Sequence, residues 1–293
     1  AAISSDAPQS RATFAAIDYD LAETLSSGQA FRWRQVNGFW QGIVMGRAVR
    51  LTSDAAGIHA QTAVPVTGWG WLRDFLQLNV DLAEIIGTFP DDDPMRAAVS
   101  ACRGLRLLRQ DPWECLASFI LSSTKQIVQI QQIVRLLCER FGDRIPGFGS
   151  EDDFTFPSAE RIASLSEADL RACKMGFRAP YLLGSARMIV SGEVDLEALR
   201  AIDVSSARAQ LMRLPGVGRK IADCVLLFAY GFPTAFPVDV WVLRALRQLY
   251  FPKRRPKTKR LLRFSETHFG PHAGYAQQYL FHYVRTKLRH GLG

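Results

Sequence analysis

Lys220 and Asp239, nineteen positions apart, flank the stretch of this chain best equipped for chemistry. Residues 211–240 read LMRLPGVGRKIADCVLLFAYGFPTAFPVDV, with Leu214-Pro-Gly-Val-Gly218 as a tight turn between two segments of helical apolar spacing. Gly216 and Gly218 let the backbone turn sharply and leave amides bare for a phosphate. A helix starting at Gly218 would add its positive N-terminal end to that anion site. Lys220 follows within a turn, and Asp239, after Pro237-Val238, has the character of an N-cap for a helix over 240–250. An unprotonated amine can attack an electrophilic carbon, and a fixed carboxylate stabilises positive charge that builds in a transition state. Each part also has a plainer use. LPGVG alone suits a helix-capping turn, Lys220 a solvated surface, and Asp239 a simple cap. The ordered combination is what points to a phosphate grip with an amine and a carboxylate mounted beside it.

The elements that must position these residues fall into two parts. From Phe14 to Thr52 the chain reads mainly as strands, with Asn37-Gly38 between Phe31–Val36 and Phe39–Met45 as a hairpin signal. Gly57 to Thr62 extends the sheet. Helical spacing begins near Trp71, and Asp91-Asp-Asp-Pro94 opens a helix ending near Cys102. From Asp111 the chain is almost all helix, the last one running from about Tyr275 to Leu288. The expected fold is therefore α+β: a flexible tail over 1–11, an antiparallel-sheet domain over 12–108, and a helical domain over 109–293 with the hairpin at 211–222.

The chain has 293 residues, a net charge of +8 and a pI near 9.5, consistent with a polyanionic partner. Its densest basic run is Lys253, Arg254, Arg255, Lys257, Lys259, Arg260 and Arg263, readable as a solvated loop or as phosphate contacts. Five cysteines, an odd count without a C-x-x-C pair, argue for a reducing compartment. The five histidines show no familiar zinc spacing, so no metal site is expected. No apolar stretch is long enough to span a membrane.

The motif resembles the helix-hairpin-helix, Gly/Pro-rich loop, Asp superfamily of DNA repair glycosylases. Ser27-Gly-Gln-Ala-Phe-Arg-Trp33, Leu107-Leu-Arg-Gln-Asp-Pro112, Met175-Gly-Phe-Arg-Ala179 and Gly270-Pro-His-Ala-Gly-Tyr-Ala-Gln277 resemble, in order, segments of the 8-oxoguanine DNA glycosylase/AP lyase family. The resemblance implies a twisted antiparallel N-terminal sheet and helical domains that clamp bent DNA with the damaged base flipped out. It makes Lys220 the Schiff-base nucleophile and Asp239 the catalytic carboxylate. Cys224 and Phe281 would sandwich the base, Gln277 would read its edge, and the Gly28 carbonyl would accept a hydrogen bond from N7, which carries a proton only in the oxidised base. Phe177 and Arg178 match the wedge that enters the duplex, and Gly216 and Gly218 the phosphate grip.

Spacing is compatible with this: Lys220 and Cys224, and likewise Gln277 and Phe281, are four apart and share a helix face. Without the resemblance, Cys224 is also a plain buried cysteine, Phe281 ordinary packing, Gln277 a solvent-facing amide and Gly28 a strand end. Two positions depart from the family. Thr124 and Gln129 stand where an asparagine and an arginine often read the opposite cytosine, and Trp241 stands where eukaryotic members have a histidine. The expected partner is duplex DNA containing oxidised guanine, met as a monomer inside the cell, in the bacterial nucleoid or the eukaryotic nucleus. No cofactor is expected, and no iron–sulfur cluster, since no cysteine follows Cys224; the hairpin's backbone carbonyls leave room for a structural cation. Two other readings stay open: a monofunctional glycosylase for alkylated bases, which generally lacks the lysine, and a non-catalytic hairpin module that only binds DNA.

Overall fold

The structure, a computed structural model, describes residues 10–148, 153–254 and 256–288. Its N-terminal part runs β1 (Ser10–Phe14), α1 (Leu21–Ser26), β2 (Arg34–Val36), β3 (Phe39–Val44), β4 (Arg47–Asp54) and β5 (Gly57–Thr62). The five strands form one antiparallel sheet in the order β1-β5-β4-β3-β2. Val36 pairs with Phe39, which leaves a two-residue turn at Asn37-Gly38 with both φ angles positive (50° and 81°). That is the primed turn whose twist suits a hairpin.

Helices follow: α2 (Gly70–Leu76), α3 (Leu82–Gly87), α4 (Asp93–Ala101), α5 (Pro112–Leu121) and α6 (Ile127–Phe141). A short pair, β6 (Arg144–Ile145) and β7 (Asp153–Phe154), precedes α7 (Ala159–Ala163), α8 (Glu167–Leu170), α9 (Ala179–Val190) and α10 (Val204–Leu211). The chain ends with α11 (Arg219–Val225), α12 (Val240–Tyr250), α13 (Thr258–His268) and α14 (Ala273–Thr286). An α+β fold with its sheet at the N-terminal side is what the periodicities predict.

Two large apolar cores hold the described residues, beside a small cluster of Ala48, Ala63 and Phe148. Val44, Val49, Leu51 and Ile58 of the sheet bury against Leu72, Phe75 and Leu76 of α2, with Leu108 closing that core. Leu21 and Leu25 of α1 join the same core, and the larger core joins α3 to α14. It includes Leu82, Ile85 and Met95 from α3 and α4, so these helices pack with the helical part although they precede residue 108.

Three stretches differ from the sequence reading. Ser10 and Arg11, assigned to the tail, pair with Thr62 and Gln61 in β1, while residues 1–9 lie outside the described residues. Helix α1 interrupts a region read mainly as strand. Asp20 caps it by accepting from the Glu23 amide at 2.8 Å, but six residues are too few to show a helical period. The basic run is only partly a loop: Lys259, Arg260 and Arg263 belong to α13, whose Leu261 is buried, and Arg255 lies outside the described residues.

Candidate active site

Gly28, Lys220, Cys224, Asp239, Gln277 and Phe281 line one cavity of about 350 Å³, with Trp241 also in its wall. Lys220 and Cys224 come from α11, Gln277 and Phe281 from α14, Asp239 and Trp241 from the start of α12. Three helices and the 27–29 loop thus converge on a space large enough for a planar heterocycle.

The half-buried Lys220 Nζ donates to Ser122 Oγ at 3.4 Å and sits 5.1 Å over the ring of Phe119. Phe119 in turn stacks on Phe228 at 5.6 Å. The amine is therefore held between a hydroxyl and an aromatic floor. Asp239 caps α12 by accepting from the Val242 amide at 2.8 Å, which fixes its carboxylate at the cavity. Burial pushes the Cys224 thiol up to about 11; the neighbouring Lys220 charge pulls against this and Asp239 adds to it. Cys224 is accordingly a neutral wall at physiological pH, not a second nucleophile.

Opposite, Gln277 is 3% exposed and its Oε1 has no hydrogen-bond partner among the described residues. A buried unsatisfied acceptor is costly, and its natural remedy is a ligand with N–H donors. The Watson–Crick edge of guanine offers such donors. Gly28 has φ +80°, and a Cβ there would lie 2.9 Å from Ile127 Cδ1 and 3.6 Å from Phe281 Cε1. Only glycine lets this backbone turn and come so near the Phe281 ring.

The hairpin lies outside the cavity wall. Val217 N donates to the Leu214 carbonyl at 3.1 Å, and Ser185 Oγ to the Pro215 carbonyl at 3.1 Å. Gly216 has φ +76°, and a Cβ on it would reach Tyr181 Cβ at 2.8 Å. Gly218, at φ −90° and ψ 178°, is the N-cap of α11 and faces open space. Behind the hairpin, buried Asp223 of α11 accepts from Arg208 Nε of α10 at 2.7 Å, tying the two helices together.

The residues expected to meet DNA divide. Phe177 is 52% exposed and in edge contact with Tyr181, as a wedge must be. Arg178 differs from expectation: it is 3% exposed and turned inward. Its guanidinium donates to the carbonyls of Ser123 and Met175 and, at 2.6 Å, to Thr124 Oγ1, and lies 4.2 Å over the Phe177 ring, so it braces the turn before α6 from beneath Phe177 rather than projecting outward with it. Thr124 and Gln129 are exposed on that same turn and helix start, outside the cavity wall. Gln129 Oε1 accepts from the Gln126 amide at 3.1 Å and so caps α6. Sequence reasoning missed Ser122, Phe119 and Phe228, the immediate surroundings of the amine. Only the apolar spacing of α5 hinted at Phe119, and it could not separate pocket from core.

Among the described residues, Glu23, Cys102 and His282 bring possible metal-ligand atoms within 4.8 Å of one another. Lys287 donates to Glu23 at 3.0 Å and Arg285 lies 3.1 Å from His282 Nδ1, so one cation already bonds this carboxylate and another sits beside the imidazole. No helix of the described residues is long and apolar enough to cross a membrane.

Residues 12–116 match the family model of the 8-oxoguanine DNA glycosylase N-terminal domain, and residues 117–270 that of HhH-GPD superfamily base excision DNA repair proteins. The chain belongs to this family. A probable N-glycosylase/DNA lyase of Methanothermobacter thermautotrophicus is 31% identical, over 94% of this chain and 98% of its own. An N-glycosylase/DNA lyase of Arabidopsis thaliana is 33% identical, over 89% of this chain and 76% of its own. Among solved structures, the Clostridium acetobutylicum 8-oxoguanine glycosylase/lyase, bound to duplex DNA with cytosine opposite 8-oxoguanine, superposes with a TM-score of 0.85 at 31% identity. That match covers 91% of this chain and 92% of the other. In this glycosylase family a lysine and an aspartate at one base-sized cavity have a direct chemical meaning.

Proposed function

We propose that this enzyme flips 8-oxoguanine out of duplex DNA into the cavity, excises it, and nicks the abasic strand by β-elimination. The observation that carries the proposal is the convergence of Lys220 and Asp239 on a cavity walled by Cys224 and Phe281, with the buried Gln277 oxygen left without a partner. Stacking on both faces and hydrogen bonds to the edge are what an extruded base needs. Guanine N7 is an acceptor, whereas the oxidised base has an N7–H, so a carbonyl at Gly28 attracts one and repels the other.

As the base-to-sugar bond stretches, positive charge builds on the deoxyribose, and the fixed Asp239 carboxylate stabilises it more than the ground state. The base leaves with the bonding electron pair and takes up a proton. The Lys220 amine, having released its own proton, bonds to C1′, and ring opening gives an imine. Loss of a C2′ proton then expels the 3′ phosphate. No cofactor enters these steps, and a cation on the hairpin carbonyls would add only to the phosphate grip. An enzyme of this kind would act where DNA is kept, inside the cell, in the bacterial nucleoid or the eukaryotic nucleus.

The test is incubation with duplexes containing 8-oxoguanine, alkylated adenine or uracil, analysed before and after alkali. Excision confined to 8-oxoguanine with strand nicking before alkali is expected. Borohydride should trap a protein–DNA adduct that Lys220→Gln abolishes. An undiminished adduct from that variant would falsify the role of Lys220.

A further inference from the structure

Helix α14 carries two overlapping stripes. Gln277, Gln278, Phe281 and Arg285 line the cavity, and Gln278, His282 and Arg285 also engage residues 23–27. Gln278 Nε2 donates to the Ser27 carbonyl at 3.1 Å, and Arg285 Nη2 donates to the Ser26 carbonyl at 2.6 Å. His282 Nε2 meets Glu23 Oε2, and its Nδ1 lies 3.1 Å from Arg285 Nη2. Gln278 and His282 are 2% and 1% exposed. From the other side Gln110 Nε2 donates to the Gln29 carbonyl at 2.6 Å, while Gln29 itself holds Leu108 N, Arg106 O and Thr24 O. The Gly28 peptide therefore lies between two carbonyls, each tied by a buried amide.

Packing a helix against a loop does not require this polarity, since apolar side chains would serve. Satisfied buried polar groups fix one geometry where apolar contacts tolerate several. We propose that Gln278 and His282 are positioning residues that set the preference for oxidised over normal guanine. They hold the Gly28 carbonyl at a fixed distance from Gln277 and Phe281. The inference rests on the cavity being the base pocket. Because one helix carries both the pair that meets the base and the pair that holds the loop, α14 itself sets the gap between the two walls. An N–H···O contact spans only about 2.7–3.2 Å, so slack in the loop weakens both the attraction for N7–H and the repulsion of a bare N7. Specificity is a difference between those two energies, and it suffers before general DNA affinity does.

The test uses Lys220→Gln as a non-cleaving background and measures affinity for three duplexes, each with cytosine opposite. They carry 8-oxoguanine, guanine or a tetrahydrofuran abasic analogue, which has no base to read. Adding Gln278→Met or His282→Leu should weaken 8-oxoguanine binding about tenfold, the equivalent of one net hydrogen bond. Affinity for the abasic analogue should stay unchanged. Equal loss on the abasic duplex would show a merely structural role, and an unchanged preference for 8-oxoguanine over guanine would also overturn the proposal. His282 does not line the cavity, so His282→Leu separates positioning from direct contact with the base, and His282→Gln takes its place if the leucine variant does not fold. A background enzyme with no preference between 8-oxoguanine and guanine is a distinct outcome. It would mean that the pocket reading itself has failed and that the positioning proposal falls with it.

Discussion

Asp239 holds a helix end and lines the cavity, and under the proposed function the same carboxylate faces the reaction; the two roles separate under substitution. Asparagine caps helices about as well as aspartate, so Asp239→Asn should keep the bond to Val242 N and melt close to the parent. It removes the negative charge, and losing one transition-state electrostatic partner costs ~10²–10³ in rate. Single-turnover base release should fall by that factor; a parental rate would rule the carboxylate out of the chemistry. Cys224, by contrast, offers the cavity a neutral wall, because burial holds its thiol protonated beside the amine.

At the level of elements, the turn entering α6 is the part that the proposed function sets against the opposite strand. A cytosine-specific site needs donors fixed against the base edge, for which arginine supplies a rigid planar fork. Here Gln129 is committed to capping α6, and Arg178 to the Ser123 carbonyl and the Thr124 hydroxyl. Thr124 sits at φ +58°, unusual for a β-branched residue, and the Arg178 bond helps hold it there. Each missing bidentate contact forfeits about 1–3 kcal/mol of base preference. Excision of 8-oxoguanine opposite thymine, guanine or adenine should therefore approach that opposite cytosine. Single-turnover rates on four duplexes check this, and a thousandfold preference for cytosine would contradict it.

For the whole molecule, the contact between the N-terminal part and α14 makes stability depend on pH. Burial alone would raise the Glu23 carboxyl, but Lys287 and His282 outweigh it and hold it below its ordinary 4.5. The unfolded chain then takes up that proton first on acidification, so Glu23 stabilises the fold above pH 4.5, and this is lost as pH falls through the folded value. Burial, aided by Arg285, lowers His282 from 6.5, which likewise favours the unfolded chain as pH drops below that value. Glu23→Gln should melt lower than the parent at neutral pH, with the gap closing below pH 4.5. A gap of constant size across the range would refute the assignment. The +8 charge acts at the same scale. Affinity for a lesion duplex should fall steeply with salt, by a slope near 0.9 per phosphate contacted. Replacing the exposed Lys257, Lys259 and Arg260 with serine should make that slope shallower. An unchanged slope would make this end of α13 a solvated surface.

What was legible in the sequence is what local geometry dictates. The Gly216 turn, the Asn37-Gly38 hairpin, the Asp239 cap and the four-residue spacing of Lys220 with Cys224 depend on neighbours within a few positions, where backbone sterics and helical period act directly. The short α1 escaped because six residues cannot establish a period. The tertiary structure alone decided which faces meet. It set Gly28 against Phe281 and left the Gln277 oxygen buried and unpaired. It also turned Arg178 inward and tied Gln278 to the Ser27 carbonyl. An arginine or a glutamine has the same local preferences whether it reads a base or braces a loop. Its role follows from which polar groups lie within hydrogen-bond reach once distant segments pack, and those distances are not encoded in any short window of the chain.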